Sequence, residues 1–216
     1  MKIAMAQINP TVGDLEGNLE KIKKFMMDAK RRDADVVAFP ELAITGYPPQ
    51  DLLLEKAFVK SNKKLLTKFV KENDVEMAGI IGFVDYKGKN LYNAAAVFVR
   101  NKLIGIAYKT LLPTYDVFDE DRYFKPASEG EIKPILMNFN GRKFRLGVEI
   151  CEDLWDENYD IKVTDLLAKR GADIIVNVSA SPFYAGKMFE RVKLLKEKSR
   201  KNKVPIFYVN LVGARA

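Results

Sequence analysis

Two stretches far apart in the chain carry the same pattern. "KRRDADVVAFPE" (30–41) and "KRGADIIVNVSA" (169–180) each pass from a basic helix end, through an Ala-Asp start, into a β-branched strand. A helix that feeds a buried strand twice implies two similar β-α-β halves, and this limits the fold more than any single residue does. With 216 residues and 48% apolar content, the chain is long enough to bury a core as one domain.

The rest of the pattern agrees with layered sheets. "KIAMAQI" (2–8) reads as a first strand ending in the Asn9-Pro10 turn, and Asp14 caps a helix with Leu19, Ile22, Phe25, Met26 and Ala29 on one face. "ADVVAFPEL" (34–42) is a strand stopped by Pro40. "GYPPQD" is a loop held extended by two prolines, and a helix is expected from about Asp51 to Lys71. "EMAGIIGFV", "LYNAAAVFV" and "KLIGIAY" follow one another across short turns as an antiparallel meander. After a long loop (109–130), "PILMNF" and "KFRLGVEI" form a hairpin across "NGR". A helix near 161–170, the strand "ADIIVNVSASP", a basic helix and the strand "PIFYVNLVG" complete the chain. The expected architecture is α/β: two packed mixed sheets with helices outside, a four-layer α-β-β-α sandwich.

Composition excludes several chemistries. Histidine is absent, so mechanisms that need an imidazole base or ligand are ruled out, and any catalysis runs on carboxylates, lysine, tyrosine and one thiol. A disulfide framework is impossible with the single Cys151, which fits a reducing cytoplasm. No leader-like or membrane-spanning run is legible, and no cofactor or metal motif. The formal charge of +7 would suit an acidic partner, but lysines alternate with glutamates along the helices as on a solvated surface. "GKMFERVKLLKEKSRKNK" (186–203) is locally basic, with Met188, Phe189, Val192 and Leu195 at helical spacing. It reads as the basic outer face of a packed helix and not as a nucleic-acid site.

Three reactive residues stand just past strand ends: Glu41 after "DVVAFP", Lys109 after "IGIAY" and Cys151 after "RLGVEI". Strand carboxyl ends are where sites form in α/β sheets. Backbone N–H groups at such a junction, and a nearby lysine, would favour thiolate over thiol at Cys151. The lysine and the backbone N–H of Glu152 could hold an oxyanion while Glu41 shuttles the proton, which suffices for amide hydrolysis through a thioester. Taken singly, each residue also has a plain structural reading: a small buried hydrophobe, a solvent-facing lysine, a charge at a helix start. Spacing alone does not choose between the two.

"PELAITGYPPQDLLL" (40–54), "YKTLLPTYDVFDEDRYF" (108–124) and "GVEICEDLW" (147–155) closely resemble, in chain order, the three catalytic blocks of the nitrilase, or carbon-nitrogen hydrolase, superfamily. Within it, "GYPPQDLLL", "FDEDRYF" and "CEDLW" most resemble the glutaminase domain of glutamine-dependent NAD synthetases. The resemblance runs from "KIAMAQINPTVGDLEGN" onward and implies a nitrilase-like sandwich. It implies a Glu-Lys-Cys triad at Glu41, Lys109 and Cys151, with Glu120 positioning the lysine and substrate. It further implies glutamine contacts at Tyr115, Phe118 and Glu152, and a grip on the substrate's amino-acid head group at Ser181 and Lys187. Lys187 stands where relatives often carry arginine, and lysine cannot reproduce a bidentate hold on a carboxylate. Tyr115, Phe118, Ser181 and Lys187 also have a plain structural reading, as residues that pack their own segments.

The resemblance departs at the end. "VNLVG" leads to "ARA" where the family continues into closing strands and a ligase domain, and no "SGGxDS"-like phosphate loop is present. The expectation is therefore one domain over 1–216, short of its last strands, without a synthetase domain and without a cofactor. It would release ammonia from glutamine for NAD synthesis. It would also associate with copies of itself or with a separate synthetase subunit, because a sheet edge is left open. A natural subunit, a truncated product and a fragment remain open. So do a free-standing ω-amidase acting on a small carboxamide and an inactive domain that only binds a partner.

Overall fold

A computed structural model describes residues 1–139 and 141–213. Asn140 of the expected "NGR" turn and the "ARA" end lie outside the described residues.

The first half builds one sheet from β1 (Ile3–Met5), β2 (Val36–Ala38), β3 (Ala78–Lys87), β4 (Asn90–Val99) and β5 (Lys102–Tyr108), in that spatial order. β1, β2 and β3 run parallel, while β3, β4 and β5 form the expected antiparallel meander. The second sheet has the order β6 (Ile135–Phe139), β7 (Arg142–Ile150), β8 (Ile174–Ser179), β9 (Ile206–Asn210). β6 pairs antiparallel to β7, and the other pairs are parallel. The two echoed stretches end in β2 and β8, each bonded in parallel to its neighbours.

Helices α1 (Leu15–Arg31) and α2 (Lys56–Glu72) cover the first sheet, and α3 (Val163–Lys169) covers the second. Between the sheets, Val36, Ala38, Ile80 and Val97 meet Met137, Val148, Ile150, Val176 and Val178. Each of these valine, isoleucine and methionine side chains, once buried, contributes roughly 1.5–3 kcal/mol. The four-layer sandwich is thus the architecture of the chain. No described helix is long and apolar enough to cross a membrane.

Local chemistry explains most boundaries. The Asp14 carboxylate accepts the N–H of Gly17 at 2.9 Å, capping α1, and Lys30 and Arg31 sit in its last turn, where the helix dipole favours cations. Leu19, Ile22, Met26 and Ala29 are buried as expected, whereas Phe25 at the edge of the same stripe is exposed.

Three expectations are corrected. The double proline does not hold the whole loop extended: the Tyr47–Pro48 bond is cis, Pro49 is helical in φ and ψ, and a short 3₁₀ turn spans Gln50–Leu54. Extended Glu55 then delays α2 to Lys56, past the expected start at Asp51. Finally, α4 (Lys187–Asn202) is covered only in part: Leu195 is half-buried, while Met188, Phe189 and Val192 of the same stripe are exposed. Periodicity predicts an amphipathic helix correctly, but it does not say whether the chain supplies a cover for the apolar stripe.

Candidate active site

Each expected triad residue leaves the end of its strand and turns inward. β2 is followed by Phe39 and Pro40, and Glu41 is fully buried. Gly82 of β3 makes room for it: a Cβ there would lie 2.3 Å from the Pro40 carbonyl oxygen and 2.5 Å from the Leu42 nitrogen. Lys109 follows β5, with its N–H donating to the Asn93 carbonyl at 2.9 Å. Cys151 follows β7 at φ 47°, in the left-handed region that ordinary residues avoid, and opens a 3₁₀ turn, Cys151–Leu154.

The Lys109 ammonium, 1% exposed, lies 2.8 Å from Glu41 Oε1 and 2.8 Å from Glu120. The Tyr47 hydroxyl donates to Glu120 Oε1 at 2.9 Å, and the Asn93 side-chain amide donates to Glu41 Oε1 at 2.7 Å. The other Glu41 oxygen accepts the backbone N–H of Ala180 at 2.9 Å, so the site joins both sheets. Burial alone would depress the Lys109 ammonium, but Glu120 and Glu41 outweigh it and hold its pKa well above the ordinary value. Burial raises the Glu120 carboxyl against the pull of Lys109.

Cys151 departs from expectation. Burial, and then the charge of Glu41, push its thiol up, while Lys109 and the Ala180 N–H pull the other way and do not prevail. On this balance the neutral thiol is favoured over the thiolate. The expectation of a favoured thiolate counted the N–H groups and the lysine but omitted desolvation.

The expected substrate-contact residues surround this centre unevenly. Glu152 is buried, and its carboxylate accepts the hydroxyls of Tyr115 at 2.9 Å and Tyr159 at 3.1 Å. Burial raises its pKa and those hydrogen bonds oppose the rise. Phe118 meets the Tyr115 ring edge-on at 5.6 Å. Buried Ser181 follows Ala180, and its N–H donates to Asn210 Oδ1 at 3.0 Å. Lys187 opens α4 with its ammonium 3.8 Å above the Trp155 ring and 3.4 Å from Glu190. The structure therefore brings Glu41, Lys109, Glu120 and Cys151 together, sets Glu152 and Ser181 beside them, and places Lys187 against Trp155.

Sequence reasoning missed Tyr47, Asn93, Asp153 and Ala180. Tyr47 lies inside "GYPP" and Asp153 inside "CEDLW", but nothing local marks their long-range contacts.

Comparison with known proteins gives the family and the fold. The carbon-nitrogen hydrolase profile matches residues 2–214. The chain is 38% identical over 216 residues, all of its length, to the glutamine-dependent NAD(+) synthetase of Thermotoga maritima, of which it covers 36%. It is 39% identical over 218 residues to that of Aquifex aeolicus, again covering 36% of the longer protein. The solved glutamine-dependent NAD+ synthetase from Acinetobacter baumannii superposes with a TM-score of 0.87 at 33% identity, over 99% of this chain and 38% of that one. An amidase from Nesterenkonia sp. gives 0.81 at 20% identity, over 99% and 77% of the two chains, a likeness of fold. The chain thus spans little more than a third of the synthetases it matches.

Proposed function

The chain belongs to the carbon-nitrogen hydrolase family, and from that premise we propose that it hydrolyses the side-chain amide of glutamine to glutamate and ammonia through a thioester on Cys151. The observation that carries this reading is the buried Lys109 ammonium shared by Glu41 and Glu120 beside a buried thiol. A buried ion cluster is weak evidence of added stability, and groups perturbed by burial and specific charge partners gather at functional sites.

Glu41 takes the thiol proton as Cys151 Sγ attacks the carboxamide carbon. The oxygen that gains charge faces the Lys109 ammonium and the Glu152 N–H. Glu41 returns the proton to the nitrogen, the C–N bond breaks and ammonia leaves. Water, losing a proton to Glu41, attacks the thioester; the C–S bond breaks and the proton returns to sulfur. Glu120 keeps Lys109 in place and charged. Glu152, held by two tyrosine hydroxyls, faces the substrate's ammonium, and Ser181 and Lys187 serve the α-carboxylate end.

Glutamine is favoured over other amides because relatives similar over the whole chain are glutamine-dependent synthetases. In this reading, the ammonia is consumed by a synthetase domain or subunit that adds it to a carboxyl group. The test measures glutamate release from glutamine and ammonia release from small carboxamides, with and without such a synthetase. Glutamine should be the preferred substrate, and Cys151→Ala should be inactive. Equal turnover of acetamide, or persistent activity of Cys151→Ala, would overturn the reading.

A further inference from the structure

Asp153 is a buried acid that the reaction above does not use. Its Oδ1 accepts two backbone N–H groups, from Thr110 at 3.0 Å and Leu111 at 2.9 Å, and its Oδ2 accepts that of Ile150 at 2.9 Å. Thr110 and Leu111 directly follow Lys109, and Ile150 directly precedes Cys151. One carboxylate therefore ties together the two backbone segments that present the ammonium and the thiol: Thr110 and Leu111 lie 43 and 42 residues from Asp153 in the chain, and Ile150 lies 3 residues from it.

Three features make this more than a filled hydrogen-bond quota. All three partners are donors, so a carboxylate satisfies them and an amide would turn its own N–H₂ against at least one. The group is 1% exposed with no lysine or arginine among its hydrogen-bond partners, and burial pushes its pKa up to about 7 against those three N–H groups. An apolar residue would avoid that desolvation. And the chain it anchors is the one residue before Cys151, whose positive φ persists only where its surroundings over-determine it.

We propose that Asp153 is a positioning residue for the hydrolysis: its carboxylate sets the placement of Lys109 relative to Cys151, and so governs the chemical step without touching substrate. The proposal rests on the roles given above to Lys109 and Cys151. It predicts a loss that falls mainly on kcat, because Ser181 and Lys187, proposed to hold the α-carboxylate end of glutamine, lie on other segments, and Glu152 is held separately by the Tyr115 and Tyr159 hydroxyls.

The test compares the wild-type chain with Asp153→Asn. Active sites are counted by complete alkylation with iodoacetamide. Glutamine turnover is then expressed per alkylatable site, and the alkylation rate is followed across pH. Asp153→Asn should lose at least about tenfold in kcat per site, since small misplacements of reacting groups carry such penalties, with KM held within about threefold. Its alkylation midpoint should move upward, because a displaced Lys109 pulls less on the thiol. Asp173→Asn, altering an aspartate that accepts the Arg145 N–H at 2.6 Å away from the site, should change neither. Should Asp153→Asn fail to fold, Asp153→Glu, which keeps the charge and shifts the oxygens, should show the same kcat-selective loss. A folded variant with wild-type kcat per site and an unmoved alkylation profile would overturn the proposal, as would losses explained wholly by fewer alkylatable sites. If the wild type does not turn over glutamine, the functional reading fails, while the alkylation profile still decides the role of Asp153.

Discussion

The cluster around Lys109 and helix α4 are both dense in charge, and they are built in opposite ways. At the cluster, Glu41, Glu120 and Lys109 are buried against one another, with hydrogen bonds from Tyr47, Asn93 and Ala180. On α4, the lysines and arginines are mostly in water, while Met188, Phe189 and Val192 are exposed as well. A solvated charge costs little and contributes little; a buried one is held in place by every partner and is expensive to orphan. The difference is why the proposed function is placed on charge that the fold has desolvated.

The largest effect should come from breaking the cluster. Lys109→Met leaves two facing carboxylates buried without a cation. It should lower kcat by roughly 10²- to 10³-fold, as for loss of an oxyanion donor, and destabilise the fold by about 3–5 kcal/mol, as for a broken buried pair. Glutaminase kinetics and urea melts check the two halves. Near-normal values in both would erase the distinction between the cluster and an exposed ion pair.

Glu149 sharpens the comparison, being a buried acid whose hydrogen-bond partners, Thr164 at 2.8 Å and Asn177 at 3.2 Å, are both neutral. Burial raises its pKa to about 7. A carboxyl whose folded pKa is raised contributes stability below its unfolded value, and that contribution is lost as pH rises through about 7. Glu149→Gln should therefore match the wild type near pH 4 and be more stable above pH 7, by on the order of 3 kcal/mol. Chemical denaturation at several pH values checks this, and a gain independent of pH would contradict it.

The smallest effect belongs to α4. Phe189 is 73% exposed, so Phe189→Ser should shift stability by no more than about 0.5 kcal/mol. A loss well beyond that, dependent on protein concentration in urea melts, would mean that the apolar stripe is covered in solution.

Much of this was legible in the sequence, and what was not has physical reasons. The alternation of β-rich and helical periods specified the two mixed sheets, because each side chain's face follows from its period. Glu41, Lys109 and Cys151 stood out by position past strand ends, and the motifs "PELAITGYPP", "YKTLLP" and "CEDLW" carried the likeness that united them. The hidden part is long-range. Asn93 joins Glu41 to Lys109, and Asp153 joins Lys109's segment to Cys151's, through contacts that span tens of residues and leave no local period. The thiol's upward shift was hidden too, because desolvation depends on what closes over a residue. For the same reason, α4's pattern announced an apolar stripe without saying that it stays exposed.

The central claim is that Cys151 becomes acylated by glutamine in the buried cluster. Acid-quenched mass spectrometry of the wild type during turnover tests it most directly. The account predicts a γ-glutamyl adduct confined to the peptide containing Cys151, accumulating before glutamate is released and missing from Cys151→Ala. Steady glutamate production with no adduct on that peptide, or an adduct that survives the substitution, would contradict it.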